Sequence, residues 1–364
     1  MNSAPKYKLL VICPYPVGVA PSQRLKYEQY FDAFREEGFE INVQPFASKK
    51  LWSIIYKKGN FIGKLLQTLL GYWSRFCLIF SLKKYDVVYI HLWVTPFLMP
   101  FYEWIYCSLA KKVVYDIDDL VYLSDNKSKA NKTVGIFKSK KKPIYLMKHA
   151  DHVITCTPYL DEFVRKFNAH TTDISSTVDT HKYIPVNRYE NKNPIVLGWS
   201  GSTTTSKYFY LLKEVLLELS KKYPIKIIIM GNPNIQIDGL NIESLAWSES
   251  IELEVLQKFD IGLYPLHDEE WVLGKSGLKA IQYMALGVPT VATAIGANYR
   301  VIDDKVSGML VNSHQEWVDA LSALIESPEL RKKIGEAGRK KIEQEFSIET
   351  NQKNYLNVLK KMVS

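Results

Sequence analysis

Short apolar runs alternate with helix-forming stretches along this chain, and the alternation begins a second time near the middle. The first series of predicted strands covers residues 8–13, 40–45, 87–91, 113–116 and 152–156. The second series covers residues 195–199, 225–230, 261–264, 290–294 and 309–311. Apolar strands separated by helices are typical of a parallel sheet that is covered on both faces. The sequence therefore predicts an α/β protein with two doubly wound halves.

A polar stretch rich in proline and asparagine, residues 183–194, separates the two series of strands. The length of 364 residues is also sufficient for two domains. We predict an N-terminal domain at residues 1–187 and a C-terminal domain at residues 188–364, with a last helix at about 347–364 that can pack on the N-terminal domain. Doubly wound sheets bind ligands beyond the carboxyl ends of their strands, so we expect a cleft between the two domains.

The composition excludes several classes of protein. A hydrophobic fraction of 47% and a charged fraction of 23% are typical of a globular chain. Residues 9–13 are too short for the apolar core of a secretory signal, and polar side chains interrupt the apolar stretch 65–80. The four cysteines form no C-x-x-C pair, which argues against a zinc site and fits a reducing compartment. We therefore expect a cytoplasmic protein.

The most specific segment is WVLGKSGLKAIQYMALGVP, residues 271–289. It predicts a glycine-containing loop, with Gly274, Ser276 and Gly277, followed by a helix that ends before Pro289. The unpaired amides and the positive end of such a helix suit a pyrophosphate. The polar residues within it, spaced for one face of a helix, are Lys275, Lys279 and Gln282. The alternative interpretation is an ordinary solvated face.

A second candidate loop follows the first strand of the second half. Residues 198–207 contain Gly201, Ser202 and Lys207, whose small side chains and positive charge suit phosphate oxygens. Neither G-x-G-x-x-G nor G-x-x-x-x-G-K-[ST] is present, which disfavours an NAD(P) enzyme and a P-loop NTPase. A simple polar turn remains the alternative for this loop.

Three carboxylates, Asp116, Asp118 and Asp119, follow the predicted strand 113–116. Carboxylates this close repel one another unless a cation or a hydroxylated ligand lies between them. The D-x-D spacing could hold Mg²⁺ or Mn²⁺ on a nucleotide diphosphate. Alternatively, one aspartate bonds sugar hydroxyls while another caps the following turn, or all of them have a purely structural role.

The positive charge is concentrated in the first half of the chain. Residues 1–187 hold 26 lysines and arginines against 16 acidic residues, whereas residues 188–364 hold 21 against 22. Residues 41–85 and 126–150 contain no acid, and the first stretch has apolar residues at helical spacing. The cations of these two stretches that we expect on a common basic surface are Lys49, Lys50, Lys57, Lys58, Lys64, Arg75, Lys83, Lys84, Lys138, Lys140, Lys141 and Lys142.

This pattern predicts a basic, amphipathic surface that contacts an anionic membrane at the inner face of the cell. The alternative is that the apolar stripe packs on the sheet of the first domain. We do not expect nucleic acid as a partner, because no RNA-binding module accompanies the basic face.

With these segments identified, the chain resembles the GT-B glycosyltransferases of family 4, which use nucleotide sugars and retain the anomeric configuration. The similarity covers nearly the whole length. The segments that carry it are residues 21–24, 114–119, 150–154, 158–160, 177–179, 198–202, 259–266, 274–277 and 283–289. The last three are the most specific to the family.

The sequence departs from the family at one important place. Members commonly carry two glutamates separated by seven residues, the first directed at the donor sugar and the second at the ribose. Gly274 and Gln282 stand at those positions here. Gln282 can still bond a ribose hydroxyl, but the first carboxylate is missing. Either Lys275 and Lys279 provide a different arrangement, which we favour, or catalysis is impaired.

The resemblance implies a retaining transfer from a UDP- or GDP-sugar to a saccharide or polyprenyl-linked saccharide, in the synthesis of a surface polysaccharide. Lys207, Lys275, Lys279 and the amides near Ser202 and Gly277 would stabilise the departing diphosphate. Asp116 or Asp118 would position the donor sugar or acceptor, with Arg24 and Asp119 on the acceptor side. Trp247 would lie beside the nucleobase.

No cofactor is expected from the resemblance, and a divalent metal could assist without being required. The alternatives left open are a metal-dependent D-x-D transferase, a GT-B epimerase and a catalytically weak homologue that acts as a binding or scaffold subunit.

Overall fold

A computed structural model describes residues 6–55, 57, 59–123, 140–186, 189–190 and 192–364 of the chain. The chain forms two compact units. The first unit is Met1–Ser176 together with Asn351–Ser364, and the second is Thr177–Thr350. The boundary between them thus lies at residue 176, some residues before the polar stretch 183–194.

The first unit contains a sheet of six parallel strands in the order β2-β1-β3-β4-β5-β6. The strands are β1 Tyr7–Cys13, β2 Phe39–Pro45, β3 Val87–His91, β4 Val113–Asp116, β5 His152–Thr155 and β6 Thr171–Asp173. The helices described in this part of the chain are α1 Pro21–Arg24, α2 Phe31–Glu36, α3 Lys49–Ile55, α4 Phe61–Ile79, α5 Phe101–Leu109, α6 Lys141–His149 and α7 Pro158–Arg165.

The second unit contains another six-stranded parallel sheet, in the order β12-β11-β10-β7-β8-β9. Its strands are β7 Ile195–Ser200, β8 Ile225–Met230, β9 Ile242–Leu245, β10 Ile261–Tyr264, β11 Thr290–Thr293 and β12 Met309–Val311. The helices that follow are α8 Ser206–Phe209, α9 Lys213–Lys222, α10 Glu249–Gln257, α11 Glu270–Leu273, α12 Leu278–Ala285, α13 Asn298–Val301, α14 His314–Glu326, α15 Pro328–Lys341 and α16 Ile348–Val363.

The central strands are the ones that the apolar pattern predicts, because both faces of each sheet are covered. All residues of β3, β4 and β10 are buried, and so is nearly all of β7 and β8. The two strands without a sequence signal are β6 and β9, with sequences TTD and IESL. They form sheet edges and are only partly buried, so they need no continuous apolar run.

One helix of the first unit differs from the sequence prediction. The apolar pattern of residues 24–37 predicts a single helix, but a 3₁₀ turn at Glu28–Tyr30 interrupts it. The side chain of Glu28 accepts hydrogen bonds from the Gly18 amide and from Gln23, which fixes this turn against the loop after β1. The last helix, α16, belongs to the first unit from Asn351 onward, and its Tyr355 ring packs 4.7 Å from the ring of Tyr30.

Candidate functional site

The loop after β7, which carries Gly201 and Ser202 and leads into the helix of Lys207, is hydrogen-bonded to the loop after β8. The Gly201 amide donates to the carbonyl oxygen of Met230 at 2.8 Å, and Asn232 donates to the hydroxyl of Ser206 at 2.7 Å. Gly231 has a positive φ of 112°, and a Cβ there would lie 1.8 Å from the Gly201 carbonyl oxygen. Only glycine permits this close approach. The loop is therefore a fixed feature of the carboxyl edge of the second sheet.

Lys207, in the short helix α8 that follows this loop, is half-exposed and forms an ion pair with Glu269, 2.9 Å away. The hydroxyl of Tyr208 donates to the same carboxylate. Burial raises the pKa of Glu269, but the hydrogen bonds from Tyr208 and Lys207 outweigh this effect and leave the pKa below its usual value. The sequence analysis does not identify Glu269, because nothing in the sequence indicates that residues 207 and 269 meet.

The glycine-containing loop and the following helix are present as the sequence predicts. Gly277 precedes helix α12 with φ 76°, a left-handed conformation that suits glycine, and the helix ends at Ala285. The Lys279 ammonium lies 5.8 Å from the ring centre of Trp199 and 5.7 Å from that of Tyr264. These aromatic residues are near the carboxyl ends of β7 and β10. Lys279 is thereby placed at the same sheet edge as the loop of Lys207.

The remaining residues of segment 271–289 separate into two environments. The Lys275 ammonium lies 5.9 Å from the ring centre of Trp271, and both Lys275 and Lys279 are half-buried. Gln282 is buried and donates to the Tyr183 hydroxyl at 2.8 Å and to Glu252 at 3.4 Å. The interpretation of Lys275, Lys279 and Gln282 as an ordinary solvated helix face is therefore wrong, because the side chain of Gln282 lies inside the protein. Gly274 and Ser276 are buried as well.

Trp247, expected beside the nucleobase, belongs to the environment of Gln282. Its indole Nε1 donates to Glu252 at 3.1 Å, and 38% of the residue is exposed. Glu252 thus accepts hydrogen bonds from both Trp247 and Gln282. The sequence analysis did not identify Glu252, since it is one of several acids in helix α10.

Asp116 requires a correction. Its side chain is fully buried, forms an ion pair with the ammonium of Lys26 and accepts a hydrogen bond from the Tyr89 hydroxyl at 2.6 Å. Burial alone raises the pKa of Asp116, but Lys26 and the nearby His91 outweigh it and bring the pKa to about 2. The role expected for Asp116, contact with the donor sugar or acceptor, does not fit this geometry, because protein groups already surround the carboxylate. The sequence around Lys26 gives no sign of this pair, because residues 26 and 116 are far apart in the chain.

The other two aspartates are more accessible. Asp118 and Asp119 are half-buried after the end of β4, and Asp119 has a positive φ of 55°. Among the residues that the structure describes, no group of three histidine, cysteine or acidic side chains is arranged to hold a metal ion.

The acceptor-side residue Arg24 ends helix α1, next to Gln23, whose side chain stabilises the preceding loop. The Gln23 side chain accepts from the Tyr15 amide and donates to the Tyr15 carbonyl oxygen, both at 3.0 Å. It also donates to Glu28 at 2.8 Å. This network fixes the loop after β1 and, with it, the position of half-buried Arg24 at the end of α1.

Helix α4 exposes its apolar side. Its buried residues are Gly71 and Arg75, and the Arg75 guanidinium donates to the carbonyl oxygens of Val94 at 2.9 Å and Cys13 at 3.1 Å. The apolar residues that point away from the protein, 42% to 79% exposed, are Phe61, Ile62, Leu65, Leu66, Leu69, Leu70, Trp73 and Phe76. The alternative in which this stripe packs on the sheet is therefore wrong. We call these eight residues the α4 surface.

Two of the cations expected on the basic surface are buried instead. Arg75 is buried beneath α4, and Lys142 is buried in an ion pair with Glu103 at 3.0 Å. Lys58 and Lys138 lie outside the described residues. Exposed members are Lys49, Lys50, Lys57, Lys83, Lys84, Lys140 and Lys141, with Lys64 half-buried. No helix among the described residues is long and apolar enough to span a membrane.

Comparison with known families and proteins identifies relatives. Residues 194–327 match the family described as "Glycosyl transferases group 1". A D-inositol 3-phosphate glycosyltransferase of Saccharomonospora viridis is 30% identical over 226 residues, which are 52% of this chain and 51% of the relative. An uncharacterized 41.2 kDa protein in the cps region of Klebsiella pneumoniae is 23% identical over 72% of this chain and 65% of its own length. The chain thus spans about half the length of the first of these curated relatives.

Solved structures with the same fold cover almost the entire chain. Sucrose-phosphate synthase from Thermosynechococcus elongatus matches 98% of this chain and 99% of its own, with a TM-score of 0.69 and 14% identity. The Anabaena protein Alr3699/HepE in complex with UDP-glucose matches 98% of this chain and 100% of its own, with a TM-score of 0.67 and 14% identity. At this identity the likeness concerns the fold, and it confirms the predicted GT-B fold.

Proposed function

We propose, from the match of residues 194–327 to the family described as "Glycosyl transferases group 1", that this chain transfers a sugar from a UDP- or GDP-sugar to a saccharide or lipid-linked saccharide acceptor. The observation that supports the proposal most strongly is the position of Lys207 and Lys279. Lys207 follows β7 and is paired to Glu269 beyond β10, while Lys279 lies over aromatic rings of β7 and β10. The strand order changes direction between β7 and β10, and such a point is where doubly wound sheets bind nucleotides.

The proposed chemistry depends on stabilising the diphosphate that leaves when the glycosidic bond to the donor breaks. Two ammonium groups and the amides at the start of α12 would face the negative charge as it develops. Lys207 would exchange Glu269 for a phosphate oxygen, and a half-exposed ion pair costs little to break. Because lysines provide this charge, we expect turnover to continue in EDTA; loss of activity that Mg²⁺ restores would favour the D-x-D alternative.

The acceptor and the stereochemistry are inferences from the resemblance. We infer retention of the anomeric configuration, with Asp118, Asp119 and Arg24 of the first unit contacting sugar hydroxyls. UDP is the first nucleotide to test, because the structurally similar Anabaena protein forms a complex with UDP-glucose. A role in surface polysaccharide synthesis is consistent with a relative named for its cps region.

Membrane attachment is part of the proposal. The α4 surface exposes eight large apolar side chains on one helix, far beyond the isolated apolar residues of ordinary surfaces. A shallow groove of about 740 Å³ runs between α4 and Tyr102. The surrounding stretch, residues 41–85, is basic and free of acids. An apolar helix face with flanking lysines suits the inner leaflet of a membrane with anionic lipids.

The test of the transfer reaction begins with binding. Purified protein is screened by thermal shift with UDP, GDP and their sugars, since a ligand of the folded state raises the melting temperature. The nucleotide sugar that binds is then incubated with saccharide and polyprenyl-linked acceptors, and products are analysed by mass spectrometry. A new glycoside is the expected result. Conversion of the nucleotide sugar without an acceptor would identify an epimerase instead.

A binding subunit without turnover is the second candidate, because Gly274 stands where the resemblance leads us to expect a glutamate. It predicts that a nucleotide diphosphate binds while no glycoside forms with any acceptor. An active wild-type protein excludes this candidate directly.

A further inference from the structure

A pocket of about 560 Å³ lies at the carboxyl edge of the second sheet, and the proposed transfer mechanism does not use it. It is surrounded by the loops after β10, β11 and β12 and by helices α9 and α14, all within the second unit. None of the described residues that line it belongs to the donor-site candidates above. Its volume falls in the range of about 300–1,000 Å³ that is usual for small-molecule sites.

Hydrogen bonds join the elements around this pocket. The Leu266 amide donates to the hydroxyl of Thr293 at 2.9 Å, which connects the loop after β10 to the end of β11. The ring of His314, at the start of α14, bonds the carboxylate of Glu218 on α9 at 3.0 Å. The two helices and the loops of the sheet are therefore held together around the pocket, so its lining is preformed.

The inner wall of the pocket is apolar and contains one buried donor without a partner. Leu212, Val215 and Ile295 are buried there together with Trp317, which is 5% exposed. Within the part of the chain that the structure describes, the indole N–H of Trp317 donates to no other group. A tryptophan that is buried usually has an acceptor for this N–H. The unpaired N–H at the pocket therefore indicates a ligand that brings an acceptor atom.

The outer rim of the pocket is polar, and its described lining residues include no lysine or arginine. Asp268 and Asn312 are exposed on this rim, and their side chains form no hydrogen bond or ion pair with any described residue. The carboxylate of Asp268 accepts hydrogen bonds, whereas the amide of Asn312 both donates and accepts. The rim thus differs from the site of Lys207 and Lys279, where two cations suit a diphosphate.

We propose that this pocket binds a neutral saccharide, at a site separate from the proposed nucleotide site. A sugar hydroxyl both donates and accepts, so several hydroxyls can bond Asp268, Asn312 and the Trp317 N–H while the C–H face of the ring packs on the apolar wall. An alkylammonium has donors only and would leave the indole N–H unpaired, and a phosphate would meet a carboxylate without a cation. The inference goes beyond the proposed function and does not depend on it, because a saccharide can bind whether or not transfer occurs.

The test measures binding of glucose, galactose, N-acetylglucosamine and maltose to the full chain by saturation-transfer NMR, without and with saturating UDP. We expect at least one of these sugars to bind and UDP not to displace it. For that sugar, Asp268→Ala should raise the Kd roughly tenfold or more, because a hydrogen bond to a charged group is lost, and Asn312→Ala roughly 2- to 10-fold. The control is Asp238→Ala, an exposed aspartate of the same unit that does not line the pocket, which should keep the wild-type Kd.

A second measurement reports on the indole itself. In fluorotryptophan-labelled protein, the ¹⁹F resonance that Trp317→Phe removes should shift when the sugar is added. If Trp317→Phe does not fold, the two alanine variants at the exposed rim still decide the question.

Three results would overturn the inference: no binding of any of the four sugars, an equal Kd for wild type, Asp268→Ala and Asn312→Ala, or displacement of the sugar by UDP, which would place it in the donor site. Failure of UDP and GDP to bind the wild type would instead overturn the proposed function and leave the saccharide site standing.

Discussion

Replacing Lys279 by methionine tests the site at its centre, because this side chain reaches the carboxyl edge of the second sheet. Methionine keeps most of the apolar stem over Trp199 and Tyr264 and removes the ammonium. A half-buried, charge-assisted bond to phosphate contributes about 1.5–3 kcal/mol, which corresponds to a roughly 10- to 150-fold increase in Kd for the nucleotide diphosphate.

The other lysines should follow an order that the structure sets. Lys207→Met is expected to cost about 1–2 kcal/mol, because the wild-type lysine first gives up its ion pair with Glu269, which offsets up to about 1 kcal/mol. Lys275, placed over Trp271 alone, should have the smallest effect. Lys221→Met, at an exposed position on α9, is the control and should bind like the wild type.

The assay is isothermal titration calorimetry with UDP or GDP and with the free nucleoside. Loss of the ammonium must weaken binding of the diphosphate and leave the nucleoside nearly unchanged, since only the diphosphate is charged. Equal affinity of wild type and Lys279→Met for the diphosphate would refute the assignment. So would an equal loss for diphosphate and nucleoside, which would indicate a general disturbance of the fold.

Three further predictions concern the first unit. Asp116→Asn should destabilise it by about 3–5 kcal/mol in urea unfolding, because Lys26 would remain buried without its counter-ion. The folded pKa of Asp116, about 2, lies below the unfolded value of about 4. The contribution of this carboxylate to the free energy of unfolding is therefore present above pH 4 and is lost as pH falls toward 2. A wild type equally stable in urea at pH 6 and pH 2.5 would contradict this. Arg75→Met should cost about 2–4 kcal/mol in urea unfolding, because the carbonyl oxygens of Val94 and Cys13 lose a charged donor; an unchanged midpoint would show that α4 is held otherwise. Leu69→Gln/Leu70→Gln should reduce sedimentation with anionic liposomes without changing thermal stability. The control Val306→Gln, at an exposed apolar position of the second unit, should sediment like the wild type. Equal sedimentation of all three proteins would refute the membrane role of the α4 surface.

Features that depend on near neighbours in the chain can be predicted from sequence patterns alone. A strand covered on both faces must be apolar along its whole length, so β3, β4, β7, β8 and β10 are visible in the sequence. The loop and helix of residues 271–289 are visible for a similar reason, because glycine at a helix start and a proline after its end act locally. The edge strands β6 and β9 lack such a requirement and were missed.

Contacts between side chains that are far apart in the chain become visible only in the folded protein. The pattern of α4 shows an apolar side but cannot show that Arg75 bonds carbonyl oxygens 19 and 62 residues away and thereby turns that side outward. The pairs Lys26–Asp116 and Lys207–Glu269, and the contact of Gln282 with Glu252, likewise join residues that have no periodic relation. A charge or an amide in the sequence is compatible with many partners, and folding selects one by bringing the ends of parallel strands to a common edge.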